Sequence, residues 1–134
     1  MQYSRVNDEG EAYREKAWES LAGAESETAN GRYNNAANRA YYACYQAAIG
    51  ALVSAGLRRS RWDHDYVQAQ FSGQLIGRRK LYPSELRSVL SDLSILRVEA
   101  DYEQKNVSRS SAHRAVREAR RFLNRVLGSS DGQS

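Results

Sequence analysis

The chain is poor in the covalent and local devices that brace many small proteins. Among its 134 residues there is one cysteine, Cys44, so no disulfide can close within the chain and a cysteine-rich zinc site is excluded. There is one proline, Pro83, and no apolar run near the roughly 20 residues of a membrane-spanning helix, which excludes a bilayer-embedded class. Met1, Gln2, Tyr3, Ser4 and Arg5 lack the apolar stretch of a secretion signal, so the expected location is a reducing cytoplasm. Large aliphatic residues are scarce too. Leu, Ile, Val and Phe together number 24, about 18%, a level that in a strongly charged chain points toward disorder. What is present instead is 18 alanines and 9 tyrosines. Alanine has the best helix propensity and lets helix axes approach, so a core of Ala and Tyr implies close-packed helices. At this length a single domain buries about 70% of its unfolded surface and needs neither metal nor disulfide to fold.

Charge is uneven. Residues 1–56 carry 5 basic and 7 acidic side chains, whereas residues 57–134 carry 15 and 9, and 17 of the 20 bases are Arg. The planar guanidinium suits phosphate and stacks on bases. A polyanion-facing surface and a solvated helical surface with local ion pairs are the two readings of that excess.

The apolar spacing predicts five helical segments. The first runs from about Glu9 to Ala29, stopped by Asn30-Gly31; the second, about Tyr33 to Ala55, is apolar on two sides and therefore central, stopped by Gly56. The third runs from about Asp63 to Ile76 with Val67, Phe71 and Leu75 four apart, and Asp63 or Asp65 is placed to cap it. Pro83 fits the first turn of the fourth, which continues to Tyr102 with Leu86, Val89, Leu90, Leu93, Leu96 and Ala100 inward. Ser108 or Ser110 can cap the fifth, which ends near Leu127. No segment alternates as a strand does. The expected architecture is an all-α, up-and-down bundle of four to five helices over residues 1–127, with a disordered tail from 128 to 134.

One polar constellation stands out on the fourth helix. Arg97 lies four residues after Leu93 and four before Asp101, at the margin of the inner face, where a cation needs a partner. One reading is an Arg97 to Asp101 ion pair that closes the helix end under Tyr102. The other is a fixed guanidinium that binds phosphate, with Asp101 or Tyr102 orienting it or handling a proton.

The residues Asn38-Arg39-Ala40-Tyr41-Tyr42-Ala43-Cys44-Tyr45-Gln46, then Asp63-His64 with Val67 and Phe71, then Leu93 with Arg97-Val98-Glu99-Ala100-Asp101-Tyr102, and finally Ala119-Arg120-Arg121-Phe122-Leu123 resemble the HEPN domain (higher eukaryotes and prokaryotes nucleotide-binding). The similarity is to its small prokaryotic branch marked by R-x-x-A-D-Y, and it spans residues 13–127. The resemblance implies a helical homodimer in which the Arg-bearing ends of the fourth helices approach each other. It implies RNA- or nucleotide-directed action, in many members as a metal-independent ribonuclease, and a toxin-antitoxin or defence module with a minimal nucleotidyltransferase partner that in some pairs modifies a tyrosine. By position Arg97 matches the family Arg, Asp101 the polar residue of the motif, and Tyr102 the tyrosine. The motif histidine, however, is missing: Tyr102, Glu103 and Gln104 occupy its place, and His113 falls on the next helix. Histidine is the side chain that titrates near neutrality, so its loss weakens the ribonuclease expectation. The competing expectation is a non-catalytic interaction module whose Arg97 to Asp101 pair is structural.

His64, between Asp63 and Asp65, is a secondary catalytic candidate that could reach Arg97 in the folded bundle; the triplet is a poor metal site because neighbours on a helix point apart. No metal and no cofactor is expected. Arg39 and Arg61 could add charge near the cleft. In Arg58-Arg59-Ser60-Arg61-Trp62 the Trp is either a stacking surface for a base or a lid on the bundle. Arg114, Arg117, Arg121 and Arg125 form a stripe on the fifth helix that repels itself unless an anion lies opposite, either the acidic face of the first helix (Glu11, Glu15, Glu19, Glu25) or RNA.

Overall fold

In a computed structural model of the chain, residues 2–102 and 106–128 are described, with side chains from residue 9 onward. Its helices are α1 (Gln2–Ala29), α2 (Tyr33–Ser54), α3 (His64–Gln70), α4 (Leu86–Tyr102) and α5 (Arg109–Leu127), and no strand occurs among the described residues. The all-α bundle expected from the spacing is the one that forms. Of the expected 128–134 tail, 129–134 lie outside the described residues.

Helix α2 is the axis, packed by α1, α3, α4 and α5. Ala36, Ala37, Ala40, Ala43, Ala47 and Ala48 are all buried along it, so small side chains bring the neighbouring helices close, while Tyr41, fully buried, supplies bulk that few large aliphatics provide. Helices α1 and α2 come close at Gly50, where a Cβ would stand 3.5 Å from the Gly10 carbonyl oxygen and from the Tyr13 Cβ. Cys44 is fully buried, and desolvation pushes its thiol pKa well up, with Glu118 adding to the effect.

The glycine stops act as the sequence suggests. At Gly31 and Gly56, with φ of +76° and +87°, the N–H of the next residue returns to the carbonyl five residues back, Arg32 to Glu27 at 2.9 Å and Leu57 to Leu52 at 2.8 Å. These closures satisfy carbonyls that the helix ends would otherwise leave open. Asp63 caps α3 through the Tyr66 N–H at 2.9 Å, and Ser108 caps α5 through the Ser111 N–H at 3.1 Å.

Two expectations need correcting. The third helix is not one α-helix to Ile76: after Gln70 it widens into a π-helix, Phe71–Arg78. The wider turn lets Phe71, Leu75 and Ile76 all face the core, Gly73 and Gly77 weaken the α alternative, and Arg87 Nη2 donates to the Ser72 carbonyl at 3.3 Å. Pro83 is not in the first turn of the fourth helix, which begins at Leu86. The Leu86 and Arg87 N–H groups close back on Pro83 and Ser84 at 3.1 and 3.0 Å, a tight three-residue closure ahead of the helix. Tyr82, stacked on Phe71 at 5.5 Å, anchors that connection to the core.

Candidate functional site

The polar centre of the bundle is built where α2, α3 and α4 meet. On α2, Asn38, Tyr41, Tyr42 and Tyr45 recur at three- and four-residue spacing and so share one face. On α4 the four-residue spacing of Arg97 and Asp101 does the same, and Arg97 Nη1 lies 3.4 Å from Asp101 Oδ2. Helix α3 delivers its first residue, His64, to the tyrosines.

The Arg97 guanidinium carbon stands 5.2 Å from the Tyr41 ring centre and 5.8 Å from that of Tyr42. Arg39 approaches the Tyr42 ring from its own side at 5.2 Å, so one phenol ring serves two cations. Asn38 links the charged groups. Its Nδ2 donates to both Asp101 oxygens at 3.3 and 3.1 Å, while its Oδ1 accepts from Arg39 Nε and Nη2 at 3.1 and 2.9 Å. Arg97 is only 14% exposed, yet of the five N–H donors of its guanidinium one makes a long hydrogen bond, and the buried Nε has no acceptor. A desolvated donor without an acceptor costs free energy, so its retention calls for an explanation in function.

His64 stacks on Tyr45 at 4.6 Å, and its Nδ1 lies 2.5 Å from the Tyr41 hydroxyl. Gln68 lies beside Tyr41 and favours its ionised form. A phenol that stays protonated donates to the neutral ring at Nδ1. It places the imidazole proton on Nε2. Burial pushes the Tyr41 pKa up to about 12 despite Gln68 and Arg97, and pushes Tyr45 up to about 12 with help from Asp63. Burial, and then the Arg97 charge, hold the His64 pKa below its ordinary value against the opposing pull of Asp65 and Asp63. His64 is therefore neutral at neutral pH and presents a donor, while both Asp101 oxygens are already engaged. The cluster offers N–H groups to an acceptor, and its Asp101 carboxylate and His64 Nδ1 each already take part in a hydrogen bond.

Of the residues singled out in the sequence, the fold brings Arg97, Asp101, Arg39 and His64 together. It does not bring Tyr102, which is 74% exposed; it does not cover the Arg97 to Asp101 pair, a place taken by Tyr41 and Tyr42. The reason is angular, since a residue adjacent to Asp101 points about 100° away from it. Arg61 lies exposed on the connection before α3, and Trp62 packs against the core beside Tyr66 at 6.3 Å, as a lid. Arg114, Arg117, Arg121 and Arg125 are exposed on α5, away from the cluster. Arg121 pairs with Glu118 at 3.4 Å, and the acidic partner proposed for the stripe goes elsewhere: Glu25 binds Arg120, and Glu11 lies 3.9 Å from Arg14. Asn38, Tyr41, Tyr42, Tyr45 and Gln68 were missed as site residues. The signal that could have found them is the spacing of Asn38, Tyr41, Tyr42 and Tyr45, a polar-tipped face on an alanine-rich helix. Among the described residues no group of His, Cys, Asp and Glu could hold a metal ion.

The HEPN domain family model matches residues 11–129. No curated protein matches the chain.

Proposed function

Since the chain belongs to the HEPN domain family, whose members are nucleotide- and RNA-related, we propose that it binds an RNA or nucleotide phosphate at the Arg97 cluster. The observation that carries this reading is a guanidinium fixed on two tyrosine faces with most of its donors unspent, Arg39 beside it and the His64 Nε2–H nearby. A phosphate oxygen accepts from such donors in pairs. The reading is of binding rather than strand cleavage, because a ribonuclease must remove the 2′-OH proton and the motif histidine that would do so is replaced by Tyr102, Glu103 and Gln104.

The rival reading makes Arg97 and Asp101 a structural pair within a non-catalytic interaction module. An i,i+4 pair contributes about 0.3–0.5 kcal/mol, too little to account for a mostly buried guanidinium.

In the same proposal the protein is a cytoplasmic homodimer. Ile95 and Val98, exposed by 60% and 40%, lie along one side of α4 and supply an apolar contact for a second copy. It acts in a toxin-antitoxin or defence module with a minimal nucleotidyltransferase, for which the exposed Tyr102 hydroxyl is an accessible acceptor. Among the described residues no helix is long and apolar enough to cross a membrane.

The test is fluorescence anisotropy with labelled oligouridylate and with AMP. Wild-type protein binds both, Arg97→Gln binds neither, and the RNA stays intact without metal. Binding that survives Arg97→Gln sinks the site; 2′,3′-cyclic phosphate ends that vanish in the same variant would show cleavage instead.

A further inference from the structure

Two basic runs far apart in sequence are brought to one side of the bundle. Arg58, Arg59 and Arg61 lie on the connection from α2 to α3, and Arg78, Arg79 and Lys80 follow the π-helix. Arg79 Nη1 donates to the carbonyl of Ala55, the residue that ends α2, at 2.9 Å, so the second run is pinned to the end of α2 where the first begins. The connection then leads back along α2 to His64, which rests on Tyr41 and Tyr45. The chain itself thus traces a basic course from the Ala55 end of α2 to the Arg97 cluster.

Three of the six basic side chains on this course are uncommitted. Arg58 is bound to Glu9 at 2.8 Å, and Arg59 lies over the Tyr66 ring at 3.7 Å. Arg61, Arg78 and Lys80 are exposed and have no acidic partner among the described residues. The acids along the way are Glu9, already used, and Asp63 and Asp65 at the head of α3, with Asp63 spent on the Tyr66 N–H. Lys80 holds a left-handed φ of +54°, an uncommon conformation for a residue with a side chain.

We propose that a single-stranded RNA with a phosphate at Arg97 continues along the α2–α3 connection to the Arg78 to Lys80 corner. This rests on the Arg97 reading and extends it from one phosphate to a strand. A nucleic acid fits better than an acidic protein. The stacked Arg59 and Tyr66 give a flat surface for a base, and a protein interface wants an apolar centre. Only Leu81 is a large exposed apolar side chain here; the others lie on α4. From Tyr41 to Ala55, fourteen helical residues span about 21 Å at 1.5 Å each. That is about six nucleotides for a strand that keeps the stacked rise of about 3.4 Å per nucleotide found along one strand of a duplex.

The test is anisotropy with labelled oligouridylates of two, four, six and ten nucleotides at several salt concentrations, using the full chain and its Arg78→Gln/Lys80→Asn variant. Asn is chosen because it tolerates the left-handed backbone at position 80. Affinity should rise with length to about six nucleotides and then level off. The variant should bind the hexamer about tenfold more weakly, with a salt slope smaller by about 1.4 for the two charges removed, and the dinucleotide unchanged. If Arg97→Gln abolishes hexamer binding while Arg78→Gln/Lys80→Asn leaves it and its length dependence intact, the strand path is wrong and the Arg97 site stands. No binding of any length by wild-type protein overturns both. Polyglutamate competing as well as oligouridylate, with the same response to the variant, overturns the RNA assignment in favour of an acidic protein.

Discussion

Replacing Arg97 by Met separates a guanidinium kept for function from one kept for stability. Met fills nearly the same volume and keeps contact with the Tyr41 and Tyr42 rings through its polarisable sulfur. Lost are the i,i+4 pair at 3.4 Å, about 0.3–0.5 kcal/mol, and two cation–π contacts at 5.2 and 5.8 Å, about 0.5–1 kcal/mol each. Removed with them is a buried Nε–H without an acceptor, which costs about 1–3 kcal/mol in place. Asp101 is not stranded, because Asn38 still donates to both its oxygens. The balance lies within about 1 kcal/mol of zero, so urea denaturation should return a stability close to wild type and the melting temperature should move by no more than about 4 °C. Over the same substitution oligouridylate affinity should fall by at least about a hundredfold, the worth of a pair of charge-assisted hydrogen bonds of about 1.5–3 kcal/mol each. A stability loss above about 2 kcal/mol with unchanged affinity would refute the reasoning and make Arg97 a structural residue.

Three further outcomes follow from the same geometry. Because the folded His64 pKa lies below the unfolded value, the unfolded chain takes up the proton first as pH falls; stability is therefore full above about pH 6.5 and declines below it until the folded imidazole also titrates. His64→Gln should flatten that decline in pH-dependent denaturation, and in Arg97→Met the His64 ring resonances should titrate at higher pH; no change in either would exclude the coupling. Gly50→Ala should be nearly neutral, since its Cβ meets ordinary contacts at 3.5 Å, whereas Gly50→Leu should lose about 1–3 kcal/mol by forcing α1 from α2, and equal melting of the two would refute the close approach. Arg121→Ala/Arg125→Ala should leave stability within about 0.5 kcal/mol while weakening RNA retention at low salt, and retention indifferent to salt would remove the α5 stripe from the polyanion surface.

Much of the fold was legible because its determinants are local. Gly31, Gly56, Asp63 and Ser108 end or start helices through bonds within five residues of themselves, and the alanine run of α2 marks burial on every side. The π-helix was not legible. It depends on Arg87, fifteen residues away, reaching the Ser72 carbonyl and on three apolar residues all finding the core. In the site, the Arg97 to Asp101 pair follows from helical spacing, but its surroundings do not. Tyr41 and Tyr42 read as filling for an alanine-rich core, and only packing of α4 on α2 turns their faces into the bed of a guanidinium. His64 lay among the candidates for its ionisable ring, while the Tyr41 hydroxyl that sets its proton comes from 23 residues earlier.

The solitary, fully buried Cys44 gives the protein an internal clock. Its thiolate is disfavoured by desolvation and no solvent reaches it, so alkylating reagents can react only when α2 leaves its neighbours. The rate of alkylation under native conditions then reports how often the bundle opens around α2, without any engineered probe. A cysteine placed on the surface could be labelled selectively with the natural thiol left in place.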